Sequence, residues 1–218
     1  MLLHNKILQE DAAAFSFDTC FSMDMKPYLK PVEFAPNEII LHTNEMPEHL
    51  LLLRRGLAKI YISQPNGRLS LTRFVHAPDL IGALELVGAQ QTAEETRAVS
   101  TCRCLALPLT ECRSLLLGDT IFLRCLCQFL GRQNIADSET YARNQTYPLE
   151  NRLAAFMLLT AHDHLYTQRH MEAAEYLGVT YRHLLYVIAH FTAEGFLTKT
   201  PHGYAVTNEA ALQQLAEV

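Results

Sequence analysis

The sequence predicts an α+β protein: an N-terminal antiparallel β-roll, one long helix, and a C-terminal winged helix-turn-helix. Three observations carry this prediction. Short apolar segments broken by turn residues fill the stretch from about residue 30 to 107. A helical period then runs without proline from Asp119 to about Asn144. Finally, residues 170–191, HMEAAEYLGVTYRHLLYVIAHF, set Ala, Gly and Thr where two steeply crossed helices need them. The expected boundaries are 1–118 for the roll domain with an N-terminal extension, 119–146 for the long helix, and 147–218 for the last module.

In the first region the strand segments include Glu38–Leu41, Leu50–Leu53, Ala58–Ile62, Leu69–Phe74 and Cys102–Leu107, the last ended by Pro108. Pro36-Asn37, Asn44, Gly56 and Pro65-Asn66-Gly67 separate them. Asn66-Gly67 is a strong hairpin signal, because both residues accept the positive φ of a tight reversal. Asn37 and Asn44 are expected in left-handed positions, where Asn is enriched among non-glycine residues. Many short strands with regular turns imply a small antiparallel barrel or roll.

In the second region Ile121, Phe122, Cys125, Leu126, Phe129, Leu130 and Ile135 follow helical spacing. They predict one helix of about seven turns at 3.6 residues per turn. A helix this long beside a small β-domain either pairs with its own copy or folds back on the roll. Tyr147-Pro148 breaks it. Helices over Asn151–Thr160, Met171–Leu177 and Tyr181–Thr192 follow, then strands Phe196–Lys199 and Tyr204–Val206 around Pro201-His202-Gly203.

The paired helices carry the function. Ala174 sits where they press together, Gly178 takes a positive φ in the turn, and Thr180 caps the second helix. Ala173, Leu177, Val179, Leu184 and Val187 supply a small core. In the second helix Leu184, Val187, Ile188 and Phe191 point inward at i, i+3, i+4 and i+7. Arg182, His183, Tyr186 and His190 lie within about 100° of one another on the outward face. A cation, two imidazoles and a phenol suit base edges and phosphates in a major groove. The expected DNA-binding set is therefore Thr180, Tyr181, Arg182, His183, Tyr186 and His190, with Lys199 and His202 on the hairpin as phosphate contacts. The partner implied is double-stranded DNA.

Composition bounds the alternatives. The chain has 218 residues, 49% hydrophobic and 19% charged, enough to bury a core. No apolar run has the length to cross a bilayer, and the start, MLLHNKILQEDAAAF, lacks the pattern of a secretory signal. A cytoplasmic location without membrane contact is expected. The net charge of −5 runs against DNA binding, and residues 149–218 hold four Lys/Arg against seven Asp/Glu. The preferred reconciliation turns the acids away from DNA. Six of the ten histidines also lie in this stretch, so protonation below about pH 6.5 is a second route, by which DNA affinity rises as pH falls.

With these pieces placed, the layout resembles the CRP/FNR superfamily of bacterial regulators over nearly the whole chain. The resemblance rests on LLLRRGLAKIY (51–61), DLIGALEL (79–86), RAVSTCRCLALP (97–108), NRLAAFMLL (151–159) and the paired-helix motif. Within the superfamily, PLENRLAAFMLL and AAEYLGVTYRHLLYV look most like the YeiL regulators. The resemblance implies a cyclic-nucleotide-binding-like roll, a homodimer through the long helix, a near-palindromic site and RNA polymerase as a further partner. It also exposes departures. Cyclic-AMP binders carry Gly-Glu-Leu where this chain has Gly82-Ala83-Leu84, and an Arg-Ser or Arg-Thr pair where it has Thr92-Ala93. A buried phosphate without a cation is costly, so cyclic AMP is disfavoured. Gly82, Leu84, Glu85 and Arg97 remain the candidate effector pocket. The family's frequent Arg-Glu at the start of the reading helix is Tyr181-Arg182, so an unusual site with guanine opposite Arg182 is expected.

Two other classes compete. Six cysteines raise an iron–sulfur or thiol redox sensor of the same family, with Cys20, Cys102 and Cys104 as weak candidates. Cys102 and Cys104 share a strand face, but Cys125 and Cys127 diverge on their helix. Four converging thiolates are hard to build from this set, so a cluster is disfavoured, no cofactor is assigned and no metal site is expected. A metalloenzyme on a cupin-like barrel would need His-x-His inside the roll, and His162-Asp163-His164 lies in the last domain. The chain is read as a non-enzyme.

Overall fold

The computed structural model describes residues 19–217. They fall into two compact units divided between Gln133 and Asn134. The division thus lies inside the long helix, whereas the sequence boundaries treat that helix as a separate element.

The first unit holds β1 (Lys30–Phe34), β2 (Ile39–Leu41), β3 (His49–Arg55), β4 (Leu57–Ser63), β5 (Leu69–His76), β6 (Asp79–Ile81), β7 (Glu95–Ala98) and β8 (Cys102–Pro108). They form two antiparallel sheets of four strands, in the orders β1-β8-β3-β6 and β2-β7-β4-β5. The run Leu50–Leu53 in β3 shows why the core has two layers. Leu51 and Leu53 face the second sheet and pack with Ile40, Ala58, Val75, Ala98 and Ala106. Leu50 and Leu52 face the other way, where α1 (Ala83–Leu86), α2 (Leu109–Gly118) and the start of α3 (Thr120–Thr146) cover the sheet. A strand buried on both faces reads as an unbroken apolar run, and each fully buried Leu contributes roughly 1.5–3 kcal/mol.

The turns hold one correction. Asn37, Asn44 and Gly67 take positive φ of 70°, 65° and 76°, but Asn66 does not. The β4–β5 connection is Gln64–Arg68, closed by Gln64 N–H to the Arg68 carbonyl and Gly67 N–H to the Gln64 carbonyl, both 2.8 Å. Asn66 instead accepts the Arg68 N–H on its side chain at 3.0 Å. That side-chain bond stabilises a longer loop with one left-handed glycine, in place of a two-residue reversal.

Asp119 joins α2 to α3. Its carboxylate caps α3, accepting the N–H groups of Ile121 at 2.9 Å and Phe122 at 3.2 Å. The other oxygen accepts the Ser22 N–H at 2.7 Å and ties down the segment that enters β1. Burial pushes this carboxyl up, but the amide donors and the Ser22 hydroxyl outweigh it and hold the group below its ordinary range.

The second unit contains α4 (Leu149–Thr160), β9 (Leu165–Tyr166), α5 (His170–Tyr176), α6 (Tyr181–Ala193), β10 (Leu197–Thr200), β11 (Gly203–Val206) and α7 (Glu209–Ala216). A three-stranded antiparallel sheet has the order β10-β11-β9. The last turns of α3 belong to this unit because Arg143 donates to the Ala216 carbonyl at 2.7 Å. Asn151 donates to the Leu215 carbonyl at 2.8 Å, so two side chains cap the end of α7.

Asp119→Ala is expected to lower stability by about 1–3 kcal/mol at pH 7, through the lost cap and the orphaned amides. The native pKa is depressed, so this contribution is complete above the unfolded value near pH 4 and fades as pH falls through the native value. Urea unfolding should show the two proteins converging in strong acid; a gap independent of pH would count against the charge.

Candidate nucleic-acid interface

Gly178 makes the turn between α5 and α6 with φ of +64°. Its N–H bonds the Glu175 carbonyl at 3.1 Å, and the Val179 N–H bonds the Ala174 carbonyl at 2.9 Å, closing α5 in two steps. Thr180 then starts α6, its side chain accepting the His183 N–H at 3.3 Å. Arg152 of α4 locks the turn from below, donating through Nη1 to the Leu177 carbonyl and through Nε to the Tyr147 carbonyl at 3.0 Å.

The buried face of α6 is Leu184, Val187, Ile188 and Phe191, against Ala173, Ala174 and Leu177 of the α5 side. Val179 is only half-buried. On the opposite face Tyr181, Arg182, His183, Tyr186 and His190 are all exposed, Tyr186 by 68%. Thr180 is exposed as well. An exposed phenol of that size contributes little to folding, so it is available to a partner.

The β10–β11 hairpin stands beside this helix. Thr200 Oγ1 donates to the Gly203 carbonyl at 3.2 Å and accepts the His202 N–H at 3.3 Å, shaping the tip. Lys199 and His202 are exposed there. Gly203, at φ of +144°, lies so close to β9 that a Cβ would collide with the Tyr166 carbonyl. His170, the first residue of α5, joins hairpin to helix. Its ring stacks 6.4 Å from Tyr166 and lies 5.7 Å from Tyr204. Burial, helped by the charge of Lys199, lowers its pKa below 6.5.

Acidic residues are sparse here, Glu194 at the end of α6 being an exposed exception. No Asp or Glu occurs from Val179 to Ala193, nor from Gly195 to Asn208. Several acids are engaged by neighbours: Asp163 with His162 at 2.9 Å, Glu209 with His164 at 3.1 Å, and Glu172 with Arg169 at 3.8 Å. Arg169, just before α5, is a cation that the sequence reading passed over. Its side chain is 85% exposed, and the signal that could have found it is its place at the mouth of the first paired helix.

The candidate effector residues do not come together. Gly82 is buried at φ of +90°, and Leu84 is 43% exposed. Glu85 is 6% exposed, its carboxyl raised by burial and by Glu94 against its own amide. In β7 Thr96 and Ala98 are buried, so alternation turns Arg97 to the other face, where it bonds Glu95 at 2.7 Å. A cavity of about 330 Å³ does open between the sheets, lined by Phe34, Ile40, Leu51, Ala93 and Ala106 among others, and by none of the four. The Ala93 N–H, which an anion would need, already bonds the Glu45 carbonyl at 2.8 Å.

Of the cysteine candidates, Cys102 and Cys104 share the core between the sheets, while Cys20 lies in the core on the far face of the first sheet. Cys20 is therefore packed in a different core cluster from either, and all three are free thiols. Burial pushes Cys102 up to about 11 and Cys104 up to about 12, far from the thiolate that metals and oxidants require. Among the described residues no three His, Cys, Asp or Glu side chains form a group able to hold a metal. His162 and His164 sit at a turn with Asp163 and His164 at positive φ, in the second unit.

Comparison with known proteins adds to this geometry. Residues 31–119 match the cyclic nucleotide-binding domain. The chain is 42% identical over 201 residues to Regulatory protein YeiL of Escherichia coli O157:H7, covering 92% of each. A crystal structure of a CRP-family transcriptional regulator from Thermus thermophilus superposes with a TM-score of 0.68 and 25% identity, over 86% of this chain and 97% of that one. A CRP/FNR-family regulator from the same organism gives 0.69 and 21%, over 87% and 99%, which speaks for the fold.

The lowered His170 pKa makes the helix-to-hairpin joint weaker in acid. Its contribution is full above pH 6.5 and declines as pH falls through the native value, because the unfolded chain takes up the proton first. Thermal unfolding between pH 8 and 5 should fall more steeply for the natural chain than for His170→Phe, which keeps the ring stack. Parallel curves would remove His170 from this role.

Proposed function

The chain belongs to the CRP/FNR family of transcriptional regulators, beside Regulatory protein YeiL, and from that premise we propose that it reads DNA as a homodimer. The observation that carries the reading is the acid-free, exposed face of α6, anchored by a fully buried opposite face. In this reading α6 enters the major groove and presents Arg182, His183, Tyr186 and His190 to base edges. Thr180 and Tyr181 lie at its entry. Lys199, His202 and Arg169 approach the phosphates on either side, and position the helix without reading sequence. Two copies joined along α3 would place two reading helices about one turn of DNA apart.

The roll supplies the regulatory half. The proposal excludes cyclic AMP as its signal: the Thr92-Ala93 pair offers no cation, and Glu85 and Glu94 bring acid to the same end. RNA polymerase is the further partner such a regulator would engage. The chain's relatives are regulators, and no enzymatic step is assigned to it. Among the described residues no single helix is long and apolar enough to cross a membrane; the cytoplasm is the proposed location.

Base contacts and phosphate contacts separate experimentally. Arg182→Ala is expected to cost about 1–3 kcal/mol on the preferred site and to relax the preference at one base pair of each half-site. Lys199→Ala and Arg169→Ala should weaken all sequences alike and reduce the slope of log K against log salt by about 0.9 per phosphate lost. Titrations on a selected site and on scrambled DNA at several salt concentrations check both. An Arg182 variant with unchanged preference would refute the assignment.

A further inference from the structure

On the outer side of the first sheet, where its helical cover ends beside β1, lies a groove of about 680 Å³. Leu29, Pro31 and Leu105 give it an apolar floor, and Lys26, Arg54 and Arg103 stand over it. Among the described residues lining it, Glu33 is the only carboxylate. That carboxylate is engaged: its Oε2 accepts from Arg103 Nε at 2.7 Å, which leaves the rest of the Arg103 fork for another acceptor.

The backbone around the groove departs from what folding alone would choose. In the β3–β8 ladder Leu53 pairs with Cys104 and Arg55 pairs with Arg103, so Arg54 is an extra residue in a bulge. A bulge re-aims a side chain, and bulges concentrate beside functional sites. The same step sets Arg55 directly opposite Arg103, a like-charge cross-strand pair that costs stability. Among the described residues lining the groove, Arg54 and Arg103 thus share one carboxylate, on a chain whose net charge is −5.

We propose that this groove binds a small amphipathic anion, an alkyl or aryl carboxylate. Its head bridges Arg54 and Arg103 near Lys26, and its apolar body lies on Leu29, Pro31 and Leu105. The volume suits a molecule of metabolite size, and the paired guanidinium forks suit a carboxylate better than a diffuse charge. The site lies outside the cavity between the sheets and shares none of the residues aligned with the cyclic-nucleotide anchor.

The test uses the full chain with octanoate as the probe, and octanol and octylamine as controls, followed by calorimetry. Octanoate is expected to bind saturably at one site, and the two controls at least tenfold more weakly. Arg54→Gln and Arg103→Gln should each lower octanoate affinity about tenfold, the usual loss for one charge-assisted hydrogen bond. Glu33→Gln should raise it several-fold by releasing Arg103, a gain that a merely structural pair would not give. Octanol binding as well as octanoate, or unchanged affinity in the arginine variants, would overturn the proposal.

Discussion

The second unit of this protein depends on one backbone conformation, the left-handed turn at Gly178. Only that φ lets α5 stop, closes its last carbonyls through Gly178 and Val179, and sends α6 away at a steep angle. With the angle set, one stripe of α6 must bury, and Leu184, Val187, Ile188 and Phe191 do so almost completely. The opposite stripe is then committed to solvent or to a partner. Arg152 fixes the turn to the α3–α4 break, and His170 fixes the hairpin to α5, so cations before α5, along α6 and on the hairpin sit on one rigid support. Rigid placement of this kind holds the exposed side chains in the fixed geometry that a binding surface needs.

What the sequence made legible follows from how local each signal is. Gly178, Thr180 and the i, i+3, i+4, i+7 stripe of α6 are properties of neighbouring residues, and all three can be read from one short stretch. The two-sided burial of Leu50–Leu53 was visible as an apolar run, although not which leucine faced which layer. α2 was missed because Leu115, Leu116 and Leu117 are consecutive and show no helical period. β9 has two residues and no pattern to read, and α7 lies beyond the last motif.

The roll was less legible for a different reason. Whether Arg97 looks into the roll or away from it depends on strand register, and a shift of one residue reverses the answer. The sequence suggested a pocket; β7 turns Arg97 outward and pairs it with Glu95. The bulge at Arg54 is likewise a property of two strands together, and no window of residues around it announces the groove. Chemistry missing from a motif was easier to read than chemistry gained. The absent arginine at Thr92 was plain, and the fold adds that the next amide, at Ala93, is already bonded to Glu45.

The central claim is that two copies of this module read DNA through α6. Selection of bound sequences from a random pool with the full chain tests it most directly. The account predicts a two-fold symmetric site whose half-sites lie about 10–10.5 base pairs apart, centre to centre, with a guanine at the position governed by Arg182. No enriched sequence, or a single site without symmetry, would contradict it.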